Sequence, residues 1–256
     1  MGILYFKIIA ILVILAVGLL SGLLPLKFEL SEKNRVFFSV GNSFAGGIFL
    51  GVGLLHMLPD GLLLLSGVSK YPFALLLCGI SLGVLLFLEK VLFIQHELHD
   101  LDRINRSSSM YPYLLAVVLS IHSFIAGVAL GIETTIFATI VIFIAIIAHK
   151  GSAALALGIS MRKASFMKQL HLKVVALFTI MTPSGIIIGS ILSNIFSDSI
   201  SRELEGVFDS LAAGTFLYVS VLDIIEEEFS IPGNEWLKFL SIIMGFLLMS
   251  TLALWS

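Results

Sequence analysis

Residues 112–160 read PYLLAVVLSIHSFIAGVALGIETTIFATIVIFIAIIAHKGSAALALGIS. Two long apolar runs flank the short break at Glu133–Thr135, and each carries one histidine near its middle, His122 and His149. An uncharged apolar stretch of about 18 residues or more reads as a membrane-spanning helix, since crossing the hydrocarbon core takes ~20 residues at ~1.5 Å per residue. An ionisable ring at bilayer mid-depth is costly and is by default a functional group. Two of them, at equal depth on consecutive spans, suggest a shared ligand, and imidazole nitrogen is the commonest protein donor to metals such as zinc.

The same criterion applied outward gives eight spans, over residues 3–26, 37–58, 72–94, 112–132, 135–160, 172–195, 205–225 and 236–255. The chain is 58% hydrophobic and 12% charged, with mean hydropathy +1.08. An ordinary soluble domain carries about 25% charged residues. The expected fold is therefore an all-α membrane protein, one transmembrane unit over residues 1–256, with a short cytoplasmic loop at 95–111. The first apolar run is too long for a signal-peptide core and no small-residue cleavage site follows, so it counts as a helix. Met1-Gly2 opens like a myristoylation signal, but Phe6 stands where Ser or Thr is required. The single cysteine, Cys78, excludes a disulfide framework, and no basic stripe suggests nucleic acid.

Charge sets the expected orientation. Eleven basic residues fall on one side: Lys27, Lys33, Arg35, Lys90, Arg103, Arg106, Arg162, Lys163, Lys168, Lys173 and Lys238. The other side has Lys7, Lys70 and Arg202, and Lys150 lies within a span. The positive-inside rule then puts both termini outside the cytoplasm.

Spans 2 and 7 resemble each other. GGIFLGVGLLHMLPD (46–60) aligns without gaps on AGTFLYVSVLDIIEE (213–227), with Gly47/Gly214, Phe49/Phe216, Leu50/Leu217, Val52/Val219 and Leu55/Leu222 identical. His56 falls opposite Asp223. The two spans cross in opposite directions, as expected for an inverted repeat of spans 1–3 and 6–8, which places a substrate site at the repeat interface near mid-depth. Spans 4 and 5, with the histidines, are what remains between the two units. Small residues at Gly151, Ala153, Ala154, Ala156, Gly158, Gly185 and Gly189 let helices approach closely, and Pro183 frees backbone carbonyls inside span 6.

Two neutral imidazoles, the Ser123 hydroxyl and water make up a four-coordinate set suited to Zn²⁺. Lys150, next to His149, either occupies a second cation position or snorkels into a water cavity. His56 with Asp60 at one mouth, and Asp223 with Glu226, Glu227 and Glu228 at the other, would draw a cation along the path. His96, Glu97, His99, Asp100 and Asp102 in the loop after span 3 are weaker candidates. HExxH, GxSxG and paired catalytic carboxylates are absent from the sequence, which speaks against an enzyme.

These residues resemble the ZIP (Zrt-, Irt-like) family of zinc and iron transporters. The likeness rests on FAGGIFLGVGLLHMLPD (44–60), HSFIAGVALG (122–131), HKG (149–151) and AAGTFLYV (212–219), the last two resembling the animal subgroup. The resemblance implies eight helices in a 3+2+3 bundle, both ends outside, and alternating access to a central site on helices 4 and 5. Carried over by motif, His122, Ser123, His149 and Lys150 match the site positions. The family usually has a glutamate one turn after a site histidine; here Ala126 and Ala153 stand there, and Thr182 precedes the span-6 proline.

The expected function is movement of a divalent metal, foremost Zn²⁺, into the cytosol. His122 and His149 are the expected ligands, Ser123 an auxiliary, and His56 and Asp223 pathway residues. The metal is cargo, and no cofactor is expected. Divalent metal ions and the lipid bilayer are the expected partners, with a homodimer left open. The host membrane is the plasma membrane or that of an internal vesicle or organelle. The alternative is a non-transporting relative with a degenerate site, for which the missing carboxylates argue.

Overall fold

The computed structural model describes residues 2–28, 32–67, 71–93, 111–193 and 198–254. Among them are eight helices long and apolar enough to cross a membrane. They are α1 (Gly2–Lys27), α2 (Arg35–Leu65), α3 (Phe73–Val91), α4 (Tyr111–Ile132), α5 (Ile136–Lys163), α6 (Lys168–Leu192), α7 (Glu203–Ser230) and α8 (Glu235–Leu252). The loop candidates His96, Glu97, His99, Asp100 and Asp102 lie outside the described residues.

Two helices run further than expected. α2 passes His56 and Pro59 and ends at Leu65, and α7 continues through Asp223 and its glutamates to Ser230. The proline ring in a regular α-helix would collide with the carbonyl one turn back. In α2 the turn before it is π-helical, Gly53–Met57, and the Leu58 N–H reaches back to the Gly53 carbonyl, a wider turn that accommodates Pro59. α7 carries its own π-helical stretch, Tyr218–Ile225. In the 46–60/213–227 alignment this stretch brackets the one in α2, so the internal likeness extends to a backbone irregularity.

Packing divides the helices into two groups. α4 lies on α6, and α1 on both α5 and α6; separately, α2 lies on α8 and α3 on α7. Exchanging 1 with 6, 2 with 7, 3 with 8 and 4 with 5 maps each of the pairs α1–α5, α2–α8 and α2–α5 onto an observed one. The aligned glycines obey this exchange. A Cβ on Gly47 would strike the Ile242 carbonyl of α8, and one on Gly214 the Cys78 carbonyl of α3. The α4–α6 contact is the most extensive. Gly127 and Gly131 face Gly185 and Gly189 so tightly that a Cβ at any of them would meet backbone of the other helix. On α5, Gly158 lies against the Gly22 carbonyl of α1.

The two groups meet along α2–α5 and α4–α7. Their shared interior is apolar, with Phe49, Phe216 and Val219 from one group against Leu119, Ala153, Ala156 and Leu157 from the other.

Candidate metal site

The closely packed α4 and the small-residue face of α5 bring His122 and His149 together. Their Nε2 atoms are 3.4 Å apart, and the rings are tilted by 56° with centroids 5.3 Å apart. Phe216 of α7 presents an edge to both, at 4.6 Å from His122 and 6.4 Å from His149. The rings are sealed from solvent, at 4% and 3% exposure. For one Nε2 to bond the other, one ring must carry Nε2–H and the other offer its lone pair. A metal taking both lone pairs moves that proton to Nδ1, and the His122 Nδ1 has no hydrogen-bond partner to prefer either tautomer.

Lys150 does not snorkel. It is 1% exposed, and its Nζ donates to Ser123 Oγ at 3.0 Å, the Phe178 carbonyl at 3.0 Å and Thr182 Oγ1 at 3.1 Å. It also lies 3.6 Å from the centre of the Phe178 ring, a cation–π distance. Its three donors thus meet three oxygens from α4 and α6, tying both to α5 beside the histidine pair. Ser123 Oγ, expected as an auxiliary metal donor, is an acceptor for Lys150 in this arrangement.

Ala126 packs against the apolar cluster of Ile14, Leu130, Ile146 and Ile186, and Ala153 is buried in the main core. Among the described residues no three His, Cys, Asp or Glu side chains converge closely enough to hold an ion. His122 and His149 are brought together; His56 and Asp223 are not brought into contact with them.

Those two residues stand on opposite sides of the pair, as their alignment implies. His56 Nδ1 is 2.8 Å from Asp60 Oδ2. Asp209 and Glu205 belong to the stretch of α7 that packs against this end of α2. Both went unrecognised in the sequence reading, although their i,i+4 spacing on one helix face was visible there. On the other side Asp223 shares a cavity with Glu89 of α3, and the Tyr218 hydroxyl donates to Glu89 Oε2 at 2.9 Å. Glu89 and Tyr218 were also missed: Tyr218 precedes Asp223 by five residues on α7 itself, and only the α3–α7 packing brings Glu89 to them.

Asp223 and Glu89 line a cavity of about 660 Å³, together with Glu226, Glu227, Lys90, Lys163 and Ser160. Along α5, Ser160 lies eleven residues from His149, about 16 Å of helix, with the core residues Ala153, Ala154, Ala156 and Leu157 between them.

The family profile described as ZIP Zinc transporter matches residues 4–112 and 95–253. The human protein Zinc transporter ZIP2 is 24% identical over 302 residues, covering 98% of both chains. Zinc transporter 3 of Arabidopsis thaliana is 26% identical over 288 residues, 98% of this chain and 85% of that one. Protein zntD of Dictyostelium discoideum is 36% identical over 171 residues, 63% of this chain, but the match spans only 24% of zntD.

Proposed function

This chain belongs to the ZIP zinc transporter family, and we propose that it carries divalent metal, foremost Zn²⁺, across the bilayer into the cytosol by way of His122 and His149. The observation that carries this reading is the 3.4 Å separation of two imidazole nitrogens, sealed from solvent where the group of α4 and α5 meets Phe216 of the other. Zinc takes imidazole nitrogens at ~2.0–2.1 Å, so two donors on one ion stand roughly 3–4 Å apart. Relatives bearing zinc-transporter names along nearly their whole length support the cargo.

The basic end of the helices, holding Arg35, Arg162, Lys163 and Lys238, is the cytoplasmic end in this reading. The ion is drawn in by Asp60, Glu205 and Asp209, meets His56, passes to the pair, and leaves through the cavity of Asp223 and Glu89. Clefts lined by one sign of charge concentrate the counter-ion. Because the pair is closed from both ends, passage needs the two helix groups to shift against each other around it, opening first one side and then the other.

A site of two neutral donors binds weakly, since desolvating an ion costs several kcal/mol and no carboxylate offsets it. Water and a shifted His56 complete the coordination. Weak binding favours fast release. The same poverty of donors, with Lys150 fixed alongside, is the observation that favours the second reading, a relative that kept the fold and does not transport. Uptake of radioactive zinc by cells expressing the wild type and the His122→Ala, His149→Ala double variant separates the two. The transport reading expects wild-type uptake above background and its loss in the double variant. Equal uptake by both would remove the site, and none by either would favour the second reading.

A further inference from the structure

We infer that Lys163 is the electrostatic tie between the two helix groups, and that its release is what lets the large cavity deepen toward the histidine pair. The inference rests on the transport reading only for the purpose of that opening; the tie itself is argued from contacts.

Lys163 ends α5, in the group of α1, α4, α5 and α6. Its Nζ reaches across to α7, 2.7 Å from Glu228 Oε1 and 3.0 Å from Glu227 Oε1. Glu228 is 1% exposed and belongs firmly to the other group. Ser39 Oγ of α2 donates to its Oε2 at 2.5 Å, and Asn42 Nδ2 to its Oε1 at 2.9 Å. Its own backbone is held too, because Lys238 Nζ of α8 donates to the Glu228 carbonyl at 2.7 Å and to the Ile231 carbonyl at 2.5 Å. The carboxylate is therefore a fixed socket built from α2, α7 and α8, into which α5 inserts one cationic side chain.

The position of this pair matters as much as its partners. Lys163 lines the 660 Å³ cavity of Glu89 and Asp223, and also a second cavity of about 230 Å³ lined by Arg35, Phe38 and Glu228. It stands in the wall between them. Deeper in, the groups touch through Leu157, Ala153, Phe216 and Val219. Apolar contact is non-directional and lets one surface slide on another. An ion pair whose carboxylate is buried and held by further hydrogen bonds is directional, and removing the partly exposed Lys163 strands the buried Glu228 charge. The tie thus selects this arrangement of the two groups, and while it holds, the end of α5 cannot swing from α7.

The test uses the full-length protein with Cys78→Ser to remove the native thiol and Ser160→Cys as reporter. Ser160 lines the large cavity and its oxygen is buried. Alkylation by N-ethylmaleimide is followed in permeabilised cells, so the reagent reaches both faces. Lys163→Met and Glu228→Gln should each speed labelling by about three- to tenfold, as expected when a half-buried pair with one buried carboxylate loses a partner. Lys163→Arg should keep the parent rate. The Lys163→Met, Glu228→Gln double variant should label no faster than the faster single one, because both break the same contact. If Lys163→Met does not accumulate as folded protein, Glu227→Gln removes only the more exposed arm, with an expected gain of about two- to fivefold. Unchanged labelling in the folded variants, or fully additive effects, would overturn the tie. Zinc uptake by the same cells is read separately. Faster labelling without any wild-type uptake leaves the tie standing and removes the transport reading; the reverse pattern does the opposite.

Discussion

Lys150 is the side chain whose removal should change the site most without touching a ligand. Its Nζ is held by Ser123, Thr182 and the Phe178 carbonyl, and Ser123 and Lys150 each directly follow a site histidine. Lys150→Met leaves the Phe178 carbonyl and two hydroxyls without their donor, costing about 1–3 kcal/mol of stability. It also removes the amine that stands beside the pair, bonded to Ser123 next to His122. The expected outcome is a lower melting temperature in detergent together with a lower KM for zinc uptake. Ala126→Glu probes the opposite deficiency by placing a carboxylate one turn from His122. Its neighbours Ile14, Leu130, Ile146 and Ile186 offer the charge nothing, so the metal-free variant should be destabilised and zinc should restore it. Thermal melts with and without zinc should show a larger metal-dependent gain than in the parent, with lower KM and slower turnover in uptake. A variant with no extra gain from zinc would mean that the ion does not visit this turn of α4.

Among the elements, α4 and α6 are joined more intimately than any other pair, glycine against glycine. A Cβ on Gly185 would run into the Phe124 carbonyl and Gly127, which backbone cannot yield cheaply. Gly185→Leu should therefore push α4 off α6 and move His122 and Ser123 with it. The destabilisation expected from such overpacking is on the order of 1–3 kcal/mol or more. Gly79 and Gly83 of α3 have the same four-residue spacing but nothing within 4 Å of an added Cβ. Leucine at either should leave folding and uptake near the parent level. Monodispersity on size-exclusion chromatography, followed by zinc uptake, checks both. Loss of fold in Gly79→Leu as severe as in Gly185→Leu would show that spacing, rather than contact, governs tolerance here.

Over the whole molecule, carboxylates gather on either side of the histidine pair, Asp60, Glu205 and Asp209 on one and Glu89, Asp223, Glu226 and Glu227 on the other, and among the described residues none joins the pair itself. In the proposed reading the mouths would collect cations, and the centre would hold an ion by imidazole and water. Protons compete with the metal for those same nitrogens, because a protonated imidazole cannot ligate. Zinc uptake should accordingly fall as pH is lowered, and raising zinc should recover part of it. A rise in uptake on acidification would indicate that proton movement drives transport instead of opposing binding at the pair.

The sequence by itself determined the eight spans and the histidines at mid-depth, for one reason: hydrocarbon thickness sets span length, and a polar ring in such a run stands out against it. It also carried the 46–60/213–227 likeness, which the matching π-helical turns and the exchanged helix contacts follow. The reach of α2 beyond Pro59 was not legible, because proline alone signals an end and only the widened turn before it lets the helix continue. Tertiary structure alone decided which way each polar group points. A span that is apolar all round has no stripe to mark its inner face. The meeting of Lys150 with Thr182, of Asp223 with Glu89 and of Lys163 with Glu228 each depends on the rotation of two helices and on which neighbours they pack against, and helix packing in lipid turns on close steric fit that a single chain's pattern does not encode.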